Sequence, residues 1–266
     1  MMGVVIIQLF MQFRRKKKKL LIILSAAIAV VIALLFYFYD PYYWLLENHY
    51  SKIYDLRNPQ QPVTTKAGID SVLKNFAQVS YTQLDKDYIA YSQSDVEKFK
   101  TILQGKIYYV VKGEDIFRFL VGNFRVKEFL VRDNYYSENL NNLEMNNIQY
   151  FLIDKNLLYA FLDLQDELQR KGYDRNAFTI NNAHRHPSHN KEIGGASVSY
   201  HIRGQAIDLT IWDINKDGIP TQEDKKIVLD ILDKKIIKDK GGIGRYPWSM
   251  VVHFDVRGHK ARWDKQ

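Results

Sequence analysis

Residues 20–39 carry no charged side chain, and Arg14, Arg15, Lys16, Lys17, Lys18 and Lys19 stand directly before them. Twenty residues in a helix extend about 30 Å, the thickness of bilayer hydrocarbon. Tyr37, Phe38 and Tyr39 close the run, and aromatic rings favour the membrane boundary. A basic block on one side sets the orientation: it stays in the cytoplasm and the C-terminal body faces outward. The expected organisation is a cytoplasmic basic tail over 1–19 and a transmembrane helix over 20–39, with the remainder outside the cytoplasm. A cleaved signal peptide is the alternative, but Tyr37-Phe38-Tyr39-Asp40-Pro41 offers no small-residue cleavage site.

The net charge of +8 first suggests a nucleic-acid partner. Without the basic block, 32 basic residues face 30 acidic ones. The basicity is thus a topology signal and no nucleic-acid partner is expected. The chain contains no cysteine, which excludes disulfides, thiolate metal sites and a cysteine nucleophile.

Residues 40–123 read as a stalk or small subdomain. Ser94-Asp95-Val96-Glu97 has the form of a capping box opening a helix that stops near Gly105. A short β-rich run follows over 107–111, and 66–79 is a further candidate helix. His49, the region's one histidine, reads as a surface residue. From about residue 124 the pattern changes. Leu157, Leu158, Phe161, Leu162, Leu164 and Leu168 recur at helical spacing, with Arg170, Lys171 and Gly172 as a helix end. Strands are expected over 178–180, 207–211 and 250–256, and a helix over 225–237. That order predicts an α+β fold: a small antiparallel sheet with flanking helices.

Six of the seven histidines lie between His184 and His259. Within Ser199-Tyr200-His201-Ile202-Arg203-Gly204-Gln205-Ala206-Ile207-Asp208, His201 and Asp208 can meet at one metal if Gly204 permits a turn and Ala206 a close approach. His253 and Asp255 share one face of a later strand, because side chains alternate with period two. Two imidazoles, one carboxylate and an open position make a catalytic zinc site.

The string Ser-x-His-x-x-Gly-x-Ala-x-Asp resembles the signature of the zinc D-alanyl-D-alanine carboxypeptidases and endopeptidases. That superfamily includes lysostaphin-type enzymes and the sonic hedgehog signalling domain. Ala183-His184-Arg185-His186-Pro187, Asn190 and Gly194-Gly195-Ala196 resemble its upstream segment. Gly241-Gly242-Ile243-Gly244-Arg245-Tyr246-Pro247 and Val252-His253-Phe254-Asp255-Val256-Arg257-Gly258 resemble its closing segments, Ala261-Arg262-Trp263 its end and Phe124-Arg125-Val126-Lys127-Glu128-Phe129 its opening. The resemblance covers about 124–266 as a zinc peptidase domain.

It implies zinc held by His201, Asp208 and His253, with Arg185 holding the scissile carbonyl or a substrate carboxylate. It implies peptidoglycan stem peptides as substrates, cut by a carboxypeptidase or endopeptidase. The hedgehog domain opens a second reading, a non-catalytic binding module. Two departures stand out. Several relatives carry an acid or histidine shortly before the last ligand as base, where this chain has Trp248, Ser249, Met250, Val251 and Val252. Asp255 is the nearest substitute, and the reverse arrangement, Asp255 as ligand and His253 as base, stays open. Ala183-His184 also replaces Gly-Tyr, and His184, His186 and His189 are expected as loop residues.

Residues 213–224 fit the twelve-residue EF-hand pattern, with oxygens from Asp213, Asn215, Asp217, Ile219 and Asp224 converging on calcium. A turn that starts a helix at Thr221 is the alternative.

Overall fold

The computed structural model describes residues 24–25, 28–31, 41–133, 136 and 148–264. The expected membrane span, like the basic tail before it, lies outside the described residues except for 24–25 and 28–31, which are helical and exposed. Among the described residues no helix is long and apolar enough to cross a membrane. The chain divides into two compact units, 1–53 and 54–266. Helix α1 (Pro41–Arg57) runs across that division, and His49 on it is exposed.

The second unit has the expected α+β character. In order come α2 (Lys66–Lys74), β1 (Ala77–Ser80), α3 (Lys86–Ser92), α4 (Glu97–Leu103), β2 (Ile107–Lys112) and β3 (Phe119–Val121). Then follow β4 (Phe124–Arg125), α5 (Val126–Phe129), β5 (Ile148–Phe151), α6 (Lys155–Arg170), β6 (Phe178–Asn182) and α7 (Pro187–Glu192). Last come β7 (Ala206–Ile211), α8 (Gln222–Ile231), β8 (Gly242–Arg245), β9 (Val251–Asp255) and β10 (Ala261–Asp264). A five-stranded sheet has the order β10-β8-β9-β7-β6 and is antiparallel except between β10 and β8. A three-stranded antiparallel sheet has the order β1-β2-β5.

Helix α6 forms where the leucine periodicity predicts it. Asp154 caps it by accepting from the Asn156 amide at 2.9 Å, which satisfies one of the first-turn donors. Leu157, Phe161, Leu164 and Leu168 are fully buried, at the spacing that puts them on one helical face. Phe161 sits at the centre of an aromatic set, with ring centroids 5.1 Å from Phe124, 6.3 Å from Phe129 and 5.8 Å from Phe178. The opening segment and the site-bearing sheet therefore meet on one helix.

Residues 54–123 fall in the same compact unit as everything after them. Strand β2 pairs with β5, placing Tyr109 against Phe151 and Val111 against Gln149. The helix anticipated over 66–79 stops at Lys74, and 77–80 becomes a strand because β2 offers it a full ladder from Ala77 to Ser80. The capping box at Ser94 does not form. Val96 is the cap residue of α4, while Ser94 is buried against Ser92 and its carbonyl accepts from the Tyr81 hydroxyl at 2.9 Å.

Gly204 ends the turn before β7 with φ +66°, and a Cβ there would lie 2.4 Å from the Leu152 carbonyl oxygen. Gly204→Ala should therefore cost at least the roughly 1–3 kcal/mol of a strained left-handed residue, read as a lower urea midpoint at unchanged slope. An unchanged midpoint would show that the turn is not tight.

Candidate metal centre

The site is built on the pairing of β7 with β9. Their register sets Asp208 directly opposite His253, so both side chains stand on one face of the sheet. His201 arrives from the turn preceding β7, which is closed by Gly204 N donating to His201 O at 3.0 Å and Gln205 N to Tyr200 O at 3.0 Å. Ile202, fully buried, roots that turn in a cluster with Tyr81, Leu84, Tyr88, Tyr108 and Leu152. The result is a tight convergence. His201 Nε2 lies 3.2 Å from His253 Nδ1 and 3.3 Å from Asp208 Oδ2, and His253 Nδ1 lies 2.7 Å from Asp208 Oδ1. Among the described residues, these three form the one group of His, Asp and Glu placed to hold a metal ion.

The partners of the outer ring nitrogens assign the tautomers. His201 Nδ1 sits 2.6 Å from the Ala183 carbonyl, which only accepts, so Nδ1 carries the proton and Nε2 presents a lone pair. His253 Nε2 lies 3.1 Å from Asp255 Oδ2, so Nε2 donates outward and Nδ1 presents its lone pair inward. Two imidazole lone pairs and a carboxylate then meet at one point. That arrangement repels itself unless a cation sits among the three, and the donor set is one that zinc favours. Burial pushes the His201 imidazole down toward its neutral form. Where no cation is bound a proton takes its place: burial opposes charge on both groups, but their mutual contact raises the His253 pKa and holds the Asp208 carboxyl well below the usual range.

Asp255 does not face the metal position. It is fully buried, and its two oxygens take Arg257 Nε at 2.7 Å, Arg257 Nη2 at 2.6 Å, the Gly242 amide at 3.0 Å and the outer nitrogen of His253. The guanidinium of Arg257 is in turn enclosed by the rings of Tyr200 and Trp263, at 4.3 and 5.0 Å. The sequence offered Asp255 as base or as alternative ligand; in the structure its bonds place it behind the ring of His253, where it orients that ring. Burial works against its ionisation, yet the bonds from His253 and Arg257 hold it far below the usual carboxylate range. The glycines of β8 make the room. Gly242 lies opposite Asp255 and Gly244 opposite His253. A Cβ at Gly242 would come within 2.3 Å of the Asp255 carboxylate, and one at Gly244 within 2.7 Å of the Trp263 ring.

A cavity of about 520 Å³ opens over the triad. Arg185, Tyr246, Arg257 and Trp263 form part of its wall, with Gly194, Gly195 and Ala196 as a stretch of low relief. No acidic side chain lines it among the described residues. Arg185, buried beside the triad, pairs through Nη2 with Asp208 Oδ2. Burial, with Asp208 nearby, pushes the Tyr246 phenol up and keeps it protonated.

A family model described as Peptidase M15 matches residues 123–255. The chain belongs to the peptidase M15 family. Searches of curated proteins and of solved structures return no match. The match encloses all three metal-facing residues, and M15 membership makes the chain a zinc-dependent metallopeptidase of the peptidoglycan-peptidase kind.

The M15 site also contains histidines whose roles the sequence did not reveal. His184 and His186 lie in the loop before α7, as expected, while His189 falls within α7; His186 is buried and caps that helix by accepting from the His189 amide at 3.1 Å. Its Nε2 donates to Asp133 Oδ2 at 2.6 Å, an oxygen also bonded by the Tyr91 hydroxyl at 3.0 Å. His184 is buried with its ring edge on Tyr108, and burial pushes its imidazole down to about 3. Neither joins the metal group. The one available signal was His186-Pro187, a capping residue followed by proline at the first helical position.

Calcium is not supported. In the 213–224 loop, Asp213 accepts from the Asp217 and Gly218 amides, Asn215 from the Asp217 amide and Asp217 from the Ile219 amide. Asp224 is fully buried, where it accepts from the Asn215 and Thr221 amides and completes the capping box of α8. The carboxylates of Asp213, Asp217 and Asp224 therefore serve the turn and the helix start. The Ile219 carbonyl has no carboxylate cage to join.

Asp255→Asn separates an orienting group from a base. Orientation predicts zinc affinity weaker by about 10- to 100-fold, measured by competition with a chromophoric chelator. Affinity equal to that of the unsubstituted protein would return Asp255 to the base role.

Proposed function

We propose that this chain is a membrane-anchored zinc peptidase that hydrolyses amide bonds next to D-amino acids in peptidoglycan stem peptides. It would act as a D,D-carboxypeptidase or an endopeptidase. The observation that carries the reading is the convergence of His201 Nε2, Asp208 and His253 Nδ1 beneath an open cavity with Arg185 beside them. These three side chains would hold zinc, which when bound lowers the pKa of a coordinated water to near 7 and polarises a carbonyl.

The rest follows from the chain's own side chains. Arg185, already buried against Asp208, presents a guanidinium suited to a substrate carboxylate or a developing oxyanion. The Gly194-Gly195-Ala196 wall admits an extended peptide backbone close to the sheet. Trp263 and Tyr200 pack around Arg257, whose guanidinium holds the Asp255 carboxylate behind His253. The uncharged run over 20–39 behind six basic residues supports an anchor in the bacterial cytoplasmic membrane, with the peptidase facing the periplasm or cell wall. A tether of that kind suits a polymer fixed near the membrane.

One observation favours a second reading. The cavity is lined by no acidic side chain among the described residues, and Asp255 is consumed behind His253. A zinc-containing module that binds stem peptides without cutting them is built the same way.

Detergent-solubilised full-length protein incubated with purified muropeptides separates the two. The peptidase reading predicts about one zinc per chain and release of peptide products that stops with chelator and with His201→Ala. The mass of those products names the bond. Bound zinc without cleavage would favour the binding module, and a folded protein without zinc would overturn the ligand set.

A further inference from the structure

Resting on the reading of this cavity as a peptide site, we infer that Arg257 is a specificity-determining residue whose outer nitrogen, Nη1, donates to a free carboxylate of the bound peptide. The inner edge of its guanidinium is committed: Nε and Nη2 donate to the buried Asp255 carboxylate at 2.7 and 2.6 Å. Its plane is packed by the Tyr200 ring at 4.3 Å and the Trp263 ring at 5.0 Å. A guanidinium is a rigid planar fork, so with Nε and Nη2 turned to Asp255, Nη1 points away from that carboxylate. It bonds to no group among the described residues. Arg257 lines the cavity, as do both rings that pack against it, and 16% of its side chain stays exposed.

The wall around it favours an anion. Two guanidiniums, Arg185 and Arg257, stand there with no acidic side chain among the described residues. Hydroxyl and indole donors share the wall, but a guanidinium gives the charge-assisted bond that selects a carboxylate over a neutral amide. The two arginines differ in place. Arg185 pairs with Asp208 and so stands at the metal group itself. Arg257 stands one ring further out: the Trp263 ring lies 5.1 Å from the His253 ring and 5.0 Å from the Arg257 guanidinium. Arg185 is therefore placed for the reacting carbonyl, and Arg257 for a charge carried elsewhere on the same peptide.

The position is ordered before any peptide arrives. The Arg257 amide donates to Asp255 Oδ1 at 3.1 Å, so its backbone and side chain grip the same carboxylate. The Val256 amide donates to the Gln205 carbonyl at 3.0 Å and the Gly258 amide to the Lys240 carbonyl at 2.9 Å, which fixes the chain on both sides. Trp263 lies on β10 opposite Gly244, whose missing side chain gives the ring its space. A long side chain ordinarily loses rotamer freedom when it binds. This one is held already, so its bond to a carboxylate is offset by less lost entropy.

The test is calorimetric binding of zinc-loaded full-length protein, in detergent, to stem-peptide analogues whose terminal D-alanyl-D-alanine amide is replaced by a non-cleavable ketomethylene. One analogue keeps all its carboxylates, one has the C-terminal carboxylate amidated, and one has the internal carboxylates amidated. For wild type, amidating the carboxylate that Arg257 takes should weaken binding by about 10- to 100-fold, the equivalent of one hydrogen bond to a charged group. The analogue that shows the loss names the source of the carboxylate. Arg257→Lys is the comparison, since a single ammonium can neutralise Asp255 but cannot also present a fork to the cavity. With zinc content unchanged, it should bind all three analogues within about three-fold of one another. A wild type indifferent to both amidations overturns the inference, as does an Arg257→Lys that keeps the full discrimination, or a wild type that binds none of the analogues. Should Arg257→Lys lose zinc or fail to fold, crystals of wild type with the unamidated analogue decide. A carboxylate about 2.7–2.9 Å from Arg257 Nη1 supports the assignment, and one bonded elsewhere overturns it. Failure to cleave natural muropeptides removes the peptidase reading alone, because binding of these analogues needs no turnover.

Discussion

The register between β7 and β9 is the constraint on which the site depends. It sets Asp208 opposite His253 and Ala206 opposite Asp255, so that two metal-facing groups come from strands far apart in sequence but adjacent in the sheet. A slip of one residue would turn Asp208 and the fully buried Leu209 to opposite faces. The core would then resist the slip, because the apolar side chains of Leu209, Ile211, Val252 and Phe254 would be exchanged with the buried polar groups of Asp208, His253 and Asp255. The hydrophobic alternation that folds the sheet is thus also what fixes the metal geometry.

Behind the register stands a buried carboxylate. Asp255 is shut away from water with its charge intact, which is tolerable only because Arg257, the Gly242 amide and His253 all donate to it. Removing one donor leaves a charge without compensation, and the ring of His253 loses its orientation. The motif glycines acquire a physical meaning here. They are the space that the Asp255–Arg257 pair and the Trp263 ring occupy. The roots of His201 reach further, through Ile202 into the cluster formed with Tyr81, Tyr88 and Tyr108. Residues 77–112 are therefore part of the support of the metal centre.

What was legible in the sequence was whatever local pattern or motif order encodes. Leucine spacing announced α6, and the His201-to-Asp208 string with His253 announced the triad through its resemblance to the zinc peptidase signature, since the spacing by itself left other arrangements open. Three things were not legible, each because it depends on distant contacts. The pairing of β2 with β5 joins segments separated by the undescribed residues 137–147, and nothing local marks it. Asp255 has the composition of a base, and only the Arg257 and Gly242 bonds reveal its orienting role. The 213–224 loop carries a cation-binding pattern, but the same Asp and Asn side chains also close turns on backbone amides, and Thr221 with Asp224 starts a helix. The capping pattern at Ser94 failed for a related reason, since burial against Ser92 and Tyr81 outweighed a local cap.

The central claim is that one zinc ion sits between His201, Asp208 and His253. Crystals of the zinc-loaded protein, measured at the zinc absorption edge, test it directly. The account predicts a single anomalous peak bonded to His201 Nε2 and His253 Nδ1 at about 2.0–2.1 Å and to an Asp208 oxygen at about 2.0–2.2 Å, with a position open to the cavity. A peak at His184, His186 or His189 instead, or Asp255 in the coordination sphere, would contradict it.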